Sequence, residues 1–221
     1  MQSLDMLANN IANTGTAGFK VDREFYNLYQ NELPLVENQW TDFSQGSLIS
    51  TGNPLNLALS GPGFFALNSP QGTVFTRNGN FQISKSNQLE SPEGYTLRNV
   101  LDQGNPITVD PTQSISIDKD GIVTQGGQQL GKLEIDQIPA AAGALNKLGN
   151  TYFAIASRTT AAAPVTDTQV LQGQIEQSNV PVADAAVRLV NVMRQFEMLQ
   201  KAMNLGAEMN KSAIQEVAKV S

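Results

Sequence analysis

The sequence contains no cysteine and no histidine. Without these two residue types, the chain lacks the usual ligands of zinc, a catalytic thiol and any general base built on imidazole. The side chains left for catalysis are carboxylates, serine, lysine and tyrosine. The absence of cysteine is compatible with an oxidising compartment, where a stray thiol would be a liability.

Charge is also scarce, because only 15% of the 221 residues are charged and the formal net charge is −6. No lysine and arginine cluster is present to bind a phosphate backbone or an anionic membrane. No apolar run reaches the roughly 20 residues that span a bilayer, and no cleavable signal peptide is recognisable. We therefore expect no nucleic-acid partner and no membrane insertion.

The clearest periodic pattern lies in residues 174–221. Apolar and small residues recur there at steps of three and four, which predicts a long helix that packs along a seam. The seam positions are Val182, Ala186, Leu189, Met193, Phe196, Gln200, Met203, Ala207, Asn210, Ile214 and Val217. Such a stripe is compatible with an ordinary core. Polar Gln200 and Asn210 favour an assembly instead, because a polar seam residue can fix register and partner number.

Residues 1–30 begin with a second, shorter stripe. Leu4, Leu7 and Ile11 share one face of a helix over residues 1–13, which two glycines end. A helix of this length is marginal alone in water, so we expect it to pair with the C-terminal helix. The expected partners, in the same subunit and in neighbours, are Leu189, Met193, Phe196 and Met203. The aromatic stretch that follows, residues 19–30, fits either a short helix or an extended arm.

Residues 57–157 change character, since short strand-like runs alternate with turns rich in Gly, Asn and Asp. This pattern predicts a mainly antiparallel β domain, and the pair Asn78-Gly79 is of the sort that provides positive φ in a tight hairpin. The predicted strands are 57–59, 64–68, 74–77, 81–83, 95–99, 115–117, 122–125, 132–138 and 152–155. Residues 31–56 are interpreted as an extended connector and residues 158–173 as a linker. The expected fold class is α+β, with the β domain inserted between terminal helices that pair in a coiled-coil-like manner.

No motif indicates a catalytic, cofactor or metal site. Residues 61–66 (GPGFFA) match the glycine spacing of a dinucleotide fingerprint, but a β-prone segment follows where a helix is required. Residues 118–121 (DKDG) resemble the start of a calcium loop without its later ligands, so a hairpin turn is the better interpretation. No pair stands out for glycoside chemistry among Glu90, Glu93, Asp102, Asp110, Glu134 and Asp136.

Several blocks nevertheless carry a family resemblance. They fall at residues 7–13 (LANNIAN), 16–20 (TAGFK), 58–65 (ALSGPGFF), 75–81 (FTRNGNF) with Gly94 and Tyr95 after it, and 172–180 (QGQIEQSNV). In this order they resemble the axial proteins of the bacterial flagellum, the basal-body rod and hook proteins. Family members usually have a further helical stretch before the first block. Either residues precede Met1, or this helix is short.

The resemblance implies a structural subunit of the basal-body rod, a self-assembling part of the drive shaft for motility. Its terminal helices would pair into an inner tube with itself and other rod subunits. It would reach the periplasmic space through the flagellar type III export apparatus without a cleavable signal peptide. Residues 193–202 are more similar to the proximal-rod member than to distal-rod or hook members. The alternatives are a distal-rod or hook-type subunit, an adhesin-like β protein with a helical stalk, or an enzyme or carbohydrate-binding module.

Overall fold

The computed structural model divides the chain into two units. The helical unit comprises Met1–Ile11 and Pro181–Ser221, and the β body comprises Ala12–Val180. The structure describes residues 2–27, 35–138, 145–156, 163–165 and 167–220. Within these ranges, the side chains of residues 2–3, 24–27, 35–39, 210 and 212–220 lie outside the description.

The helical unit contains the two predicted helices, α1 (Gln2–Ala12) and α2 (Val182–Val220). Pro181 lies immediately before α2, and Asp184 in its first turn favours the positive end of the helix dipole. With 39 residues and a rise of about 1.5 Å per residue, α2 is a rod of about 58 Å. Neither helix, as far as the structure describes them, combines the length and the apolar character needed to cross a membrane.

The β body is built from short strands that pair in an antiparallel manner. The strands are β1 (Asp22–Asn27), β2 (Leu35–Thr41), β3 (Leu48–Ser50), β4 (Leu57–Ser60), β5 (Phe64–Ser69), β6 (Gly72–Thr76), β7 (Gln82–Ile83), β8 (Leu89–Glu90), β9 (Thr96–Leu97), β10 (Ile115–Ile117), β11 (Ile122–Gln125), β12 (Gln128–Lys132), β13 (Ile135–Gln137), β14 (Leu145–Leu148), β15 (Tyr152–Ile155), β16 (Ala163–Pro164), β17 (Gln169–Gln172) and β18 (Gln174–Glu176). A 3₁₀ turn, Val100–Asp102, follows β9.

The largest sheet has the order β14-β15-β6-β5-β9-β8-β7, and β13 pairs with both β5 and β16. Strands β10, β11 and β12 form a second sheet, and β1 and β2 form a hairpin. Two further pairs join distant parts of the chain: β17 pairs with β4, and β18 pairs with β3. The last strands of the body therefore bind segments from its first half.

Strand β5 is the centre of the core. Phe65 and Leu67 face the larger apolar cluster, whereas Phe64 and Ala66 face a second, smaller one. Because successive side chains of a strand point to opposite faces, β5 is buried on both sides, which explains its continuous apolar run. The rings of Phe64 and Phe153 pack together with that of Phe43, with centroids 5.1 to 5.7 Å apart.

Several local predictions are confirmed. The segment around Gly61 and Gly63 is a turn, with φ values of 119° and 107°, that leads into β5. Residues 118–121 form the turn between β10 and β11, in which the Asp118 carboxylate accepts hydrogen bonds from the backbone N–H groups of Asp120 and Ile122. The first part of the undecided aromatic stretch is extended, as β1.

Other predictions are wrong. Asn78-Gly79 is not a tight hairpin: β6 pairs with β5 and β15, and Gly79 is not among the residues with positive φ. Gly79 is required for a close approach, since a Cβ there would lie 1.5 Å from the carbonyl oxygen of Leu57. The predicted strand 132–138 is divided between β12 and β13. The interpretation of residues 31–56 as an extended connector and of residues 158–173 as a linker stays a prediction; the first segment contains the short strands β2 and β3, and the second contains β16 and β17.

Candidate assembly interface

The predicted seam residues of α2 form one exposed face, which we call the seam face. Met193, Phe196 and Met203 are 52%, 43% and 67% exposed. Leu189 is half-buried and Gln200 is exposed. Two further seam residues, Asn210 and Ile214, belong to α2, but their side chains lie outside the described residues. A face of this apolar character is the usual signature of a helix that packs against another helix.

The predicted seam residues of α1 also share one face, because they follow each other at steps of three and four. Leu7 is buried, whereas Leu4 and Ile11 are half-buried. The coiled-coil-like pairing of these side chains with the seam face of α2 is not shown by a single copy of the chain. It stays a prediction about the assembled state.

A second apolar face of α2 was missed in the sequence. Val187, Met198, Leu205 and Met209 are between 60% and 71% exposed, at least as much as most of the seam face. They belong to the series Val187, Asn191, Arg194, Met198, Ala202, Leu205 and Met209, whose steps are again three and four. At about 100° per residue, this second face lies roughly opposite the seam face. The signal was present in the spacing, but the stronger stripe concealed it.

Two opposite apolar faces have a simple physical consequence. A helix that is apolar on one side needs one neighbour, whereas a helix apolar on two sides is suited to lie between two. Burial of each large apolar side chain contributes roughly 1.5–3 kcal/mol, so four such residues per face contribute several kcal/mol before the entropic cost of association. In the single chain, exposed apolar side chains on both sides of α2 are thus available to neighbouring helices.

A buried ion cluster holds β18, the last strand of the β body, to earlier segments of the same body. The Glu176 carboxylate lies 2.6 Å from Nζ of Lys20 and 3.1 Å from Nη1 of Arg77, and the Glu176 and Lys20 side chains are fully buried. It also accepts a hydrogen bond from the backbone N–H of Gly46 at 2.8 Å. The cluster thus joins four segments that are far apart in sequence.

Burial sets the electrostatics of this cluster. It lowers the pKa of Lys20 below its usual value, against the opposing attraction of Glu176. Burial likewise lowers the pKa of Arg77, again opposed by Glu176. Since both cations lose hydration, the Glu176 carboxylate is their essential counter-charge. Nη2 of Arg77 donates a hydrogen bond to the carbonyl oxygen of Gly61 at 2.7 Å. Among the described residues, Nε of Arg77 is the one buried side-chain nitrogen or oxygen atom without a hydrogen-bond partner.

Asn179 reinforces the same junction three residues later. Its side-chain oxygen accepts a hydrogen bond from the backbone N–H of Val21 at 2.8 Å, and its Nδ2 donates to the carbonyl oxygens of Asp42 and Ser44. The sequence analysis did not identify Lys20, Arg77, Glu176 or Asn179 as residues of one cluster. All four lie inside the sequence blocks that carry the family resemblance, and this was the signal that could have identified them.

Two of the carboxylates considered for catalysis, Glu134 and Glu93, have structural partners. Glu134 forms an ion pair with Arg98 at 3.0 Å. Glu93 accepts a hydrogen bond from the Tyr152 hydroxyl, and burial, followed by that bond, raises the pKa of Tyr152. Burial also raises the pKa of Asp136, with a smaller contribution from the nearby Glu134. Within the described part of the chain, no group of acidic residues is arranged to hold a metal ion.

Comparison with known proteins agrees with this architecture. The model of the flagellar hook protein FlgE/F/G D1 domain matches residues 58–125, which lie in the β body. The model of the flagellar basal body rod FlgEFG protein C-terminal region matches residues 171–216, which contain the ion-cluster segment and most of α2. The described side chains of both apolar faces of α2 therefore lie in a region that the family shares.

Relatives along the whole chain point the same way. The flagellar basal-body rod protein FlgF of Caulobacter vibrioides is 31% identical over 100% of this chain and 94% of its own length. FlgF of Mesorhizobium japonicum is 31% identical over 99% and 92%, and the rod protein FlgG of Agrobacterium fabrum is 33% identical over 94% and 90%. The chain therefore belongs to the flagellar basal-body rod protein family, and it is a structural subunit of the basal body, not an enzyme.

Proposed function

We propose that this chain is a subunit of the proximal rod, and that it polymerises through its terminal helices. Residues 1–30 and 174–221 form the axial core by coiled-coil-like pairing. The β domain comprises residues 57–157, with residues 31–56 as connector and residues 158–173 as linker. The observation that carries the proposal is the exposed apolar seam face along a helix of 39 residues.

The contacts of the core follow from the two stripes. Leu4, Leu7 and Ile11 of α1 pack against the seam face, both within a subunit and between neighbours. The residues of the seam face assigned to this interface are Leu189, Met193, Phe196, Gln200, Met203, Asn210 and Ile214. Gln200 and Asn210 fix the register, since a polar residue in an apolar seam must meet a partner that satisfies it. The partners are other copies of the chain and other rod subunits.

The test of the interface is a charge placed in the seam face. Met193→Asp would bury a carboxylate among apolar side chains, which strongly disfavours association, while the β body keeps its fold. The matched control is Gln195→Asp, which adds the same charge at an exposed position outside the seam face. We expect purified basal bodies to contain the control variant at the wild-type level and almost none of Met193→Asp, by quantitative mass spectrometry. Normal incorporation of Met193→Asp would show that the seam is misassigned.

The proximal position has its own test. It is supported by residues 193–202, which resemble the proximal-rod member, and by relatives named FlgF that match almost the full chain. A few copies per basal body would support a proximal subunit. Many copies would favour the distal rod instead.

The route of the chain to the rod is part of the same proposal. We place it in the periplasmic section of the basal body, after passage through the flagellar type III export apparatus without cleavage of a signal peptide. Membership of the rod family supports this route. Its test is the N-terminal sequence of the chain recovered from basal bodies, together with its cellular location in a mutant that lacks a working export apparatus. A trimmed N-terminus, or export in that mutant, would contradict it.

A further inference from the structure

The methionines of this chain are confined to one unit. All six lie in the helical unit, at positions 1, 6, 193, 198, 203 and 209, and the β body of 169 residues, Ala12–Val180, contains none. The β body also lacks cysteine and histidine, as the whole chain does. All sulfur atoms of the protein therefore belong to the helical unit, and four of the six belong to the two apolar faces of α2.

Four of these methionines are open to solvent in the single chain. Met193 and Met203 on the seam face are 52% and 67% exposed, and Met198 and Met209 on the opposite face are 62% and 71% exposed. A methionine thioether is soft and nucleophilic, so exposure makes it a ready target for two-electron oxidants. Each apolar face of α2 thus contains two accessible sulfur atoms.

We propose that Met193, Met198, Met203 and Met209 are an oxidation site through which peroxide controls the assembly of this chain. This inference rests on the proposed function, because it requires the two faces of α2 to bind other helices. In the step itself, the thioether sulfur attacks one oxygen of hydrogen peroxide. A sulfur–oxygen bond forms, the oxygen–oxygen bond breaks, and one molecule of water leaves, while the thioether becomes a sulfoxide.

The effect on α2 follows from the polarity of the product. A sulfoxide is a strong hydrogen-bond acceptor, and burying it in an apolar contact without a donor is unfavourable. Oxidation therefore converts both apolar faces into polar ones. The β body contains no methionine to oxidise, so its fold serves as an internal control. Once the helices are packed together, the same sulfur atoms are covered. Sensitivity of these methionines to peroxide is therefore limited to unassembled chains.

The experiment uses the purified full-length chain, partly oxidised with hydrogen peroxide so that each methionine carries a mixture of thioether and sulfoxide. The sample is concentrated, the sedimenting assembly is separated from the supernatant, and peptide mass spectrometry gives the sulfoxide fraction of each α2 methionine in both. We expect sulfoxide at the four positions to be enriched about tenfold in the supernatant, since about 1.4 kcal/mol of lost association corresponds to that factor. Treatment with methionine sulfoxide reductases A and B should return the supernatant chain to the assembly.

Three results would overturn the inference. Equal sulfoxide fractions in pellet and supernatant would show that oxidation does not affect association. Failure of the reductases to restore assembly would assign the effect to another residue. If the unoxidised chain forms no sedimenting assembly, the proposed self-association fails first and the inference falls with it. A variant with all four methionines replaced by leucine completes the test. The amount of sedimenting assembly that this variant forms should be the same with and without peroxide, whatever amount it forms without peroxide.

Discussion

The buried ion cluster gives the sharpest prediction about this fold. Glu176 is fully buried and is the shared counter-charge of Lys20 and Arg77, whose side chains are 0% and 4% exposed. Glu176→Gln keeps the shape of the side chain but removes its charge, which leaves two buried cations uncompensated. Breaking a buried pair in this way costs about 3–5 kcal/mol.

The size of the effect in a melting experiment follows from the length of the chain. For a protein of this size, 1 kcal/mol corresponds to about 2–4 °C in Tm, so the expected fall is about 6–20 °C. The matched control is Glu134→Gln, the same substitution in the ion pair with Arg98, where the two side chains are 22% and 19% exposed. A partly exposed pair contributes at most about 1 kcal/mol, and the control should melt close to the wild type.

The assays are thermal unfolding, which gives Tm, and urea unfolding, which gives the free energy of unfolding, both followed by near-ultraviolet circular dichroism. Every aromatic residue except Phe196 lies in the β body, so this signal reports on the body with little contribution from α2. A third variant separates charge from shape: replacement of Lys20, Arg77 and Glu176 together by apolar residues of similar volume should recover much of the lost stability. If Glu176→Gln lies within 1 kcal/mol of the wild type, or no further than Glu134→Gln, the account of the cluster is refuted.

Two further changes test other parts of the β body. Asp136→Asn should raise the free energy of unfolding at pH 7, because burial and the nearby Glu134 raise the pKa of Asp136 above 3.8 in the folded chain. A raised pKa means that the charged carboxylate destabilises the folded chain at pH values above that pKa, whereas the protonated form does not at lower pH. The gain in free energy of unfolding from Asp136→Asn should therefore shrink as the pH falls towards 3.8. A gain that is independent of pH would contradict this reasoning. Gly18→Ala should cost at least about 2 kcal/mol, because Gly18 has φ 69° and a Cβ there would lie 2.2 Å from the backbone nitrogen of Asn78. Gly15→Ala is its control, since no atom lies within 4 Å of the added carbon; similar melting curves for the two variants would show that the backbone at Gly18 adapts.

The elements that the sequence predicted well are those whose signal is local. The three-and-four spacing of α2 and the uninterrupted apolar run of β5 are both visible within a short window. The turn at Asp118 is equally local, since its carboxylate binds backbone groups two and four residues further on. In each case, neighbouring residues alone determine the conformation.

The features that could not be predicted depend on residues far apart in the chain. β4 pairs with β17, yet Leu57 and Gln172 are separated by more than half of the sequence and the second strand follows a segment of low complexity. Gly79 looked like a turn residue, but its role is set by the backbone of Leu57. Nothing near Glu176 indicates that its charge is neutralised by Lys20.

The candidate interface was likewise predictable only in part. The seam face was predicted because its residues recur at regular steps of three and four. The second face is equally regular, but the sequence analysis missed it because the seam face is the stronger pattern. The sequence and the single chain locate the two apolar faces of α2. That these faces bind other helices remains a prediction, because it concerns the assembled state.

The pairing of β17 with β4 and of β18 with β3 also determines the order in which the chain can fold. Translation and any passage through a narrow channel deliver the early strands first, but β4 obtains its partner only when residues 169–172 arrive, and Lys20 and Arg77 are neutralised only when Glu176 does. A truncated chain would leave the edge of β4 open and two cations without a counter-charge. The body is thus completed immediately before α2 begins, so only a chain that extends through Glu176 brings a finished β body to the structure that it joins.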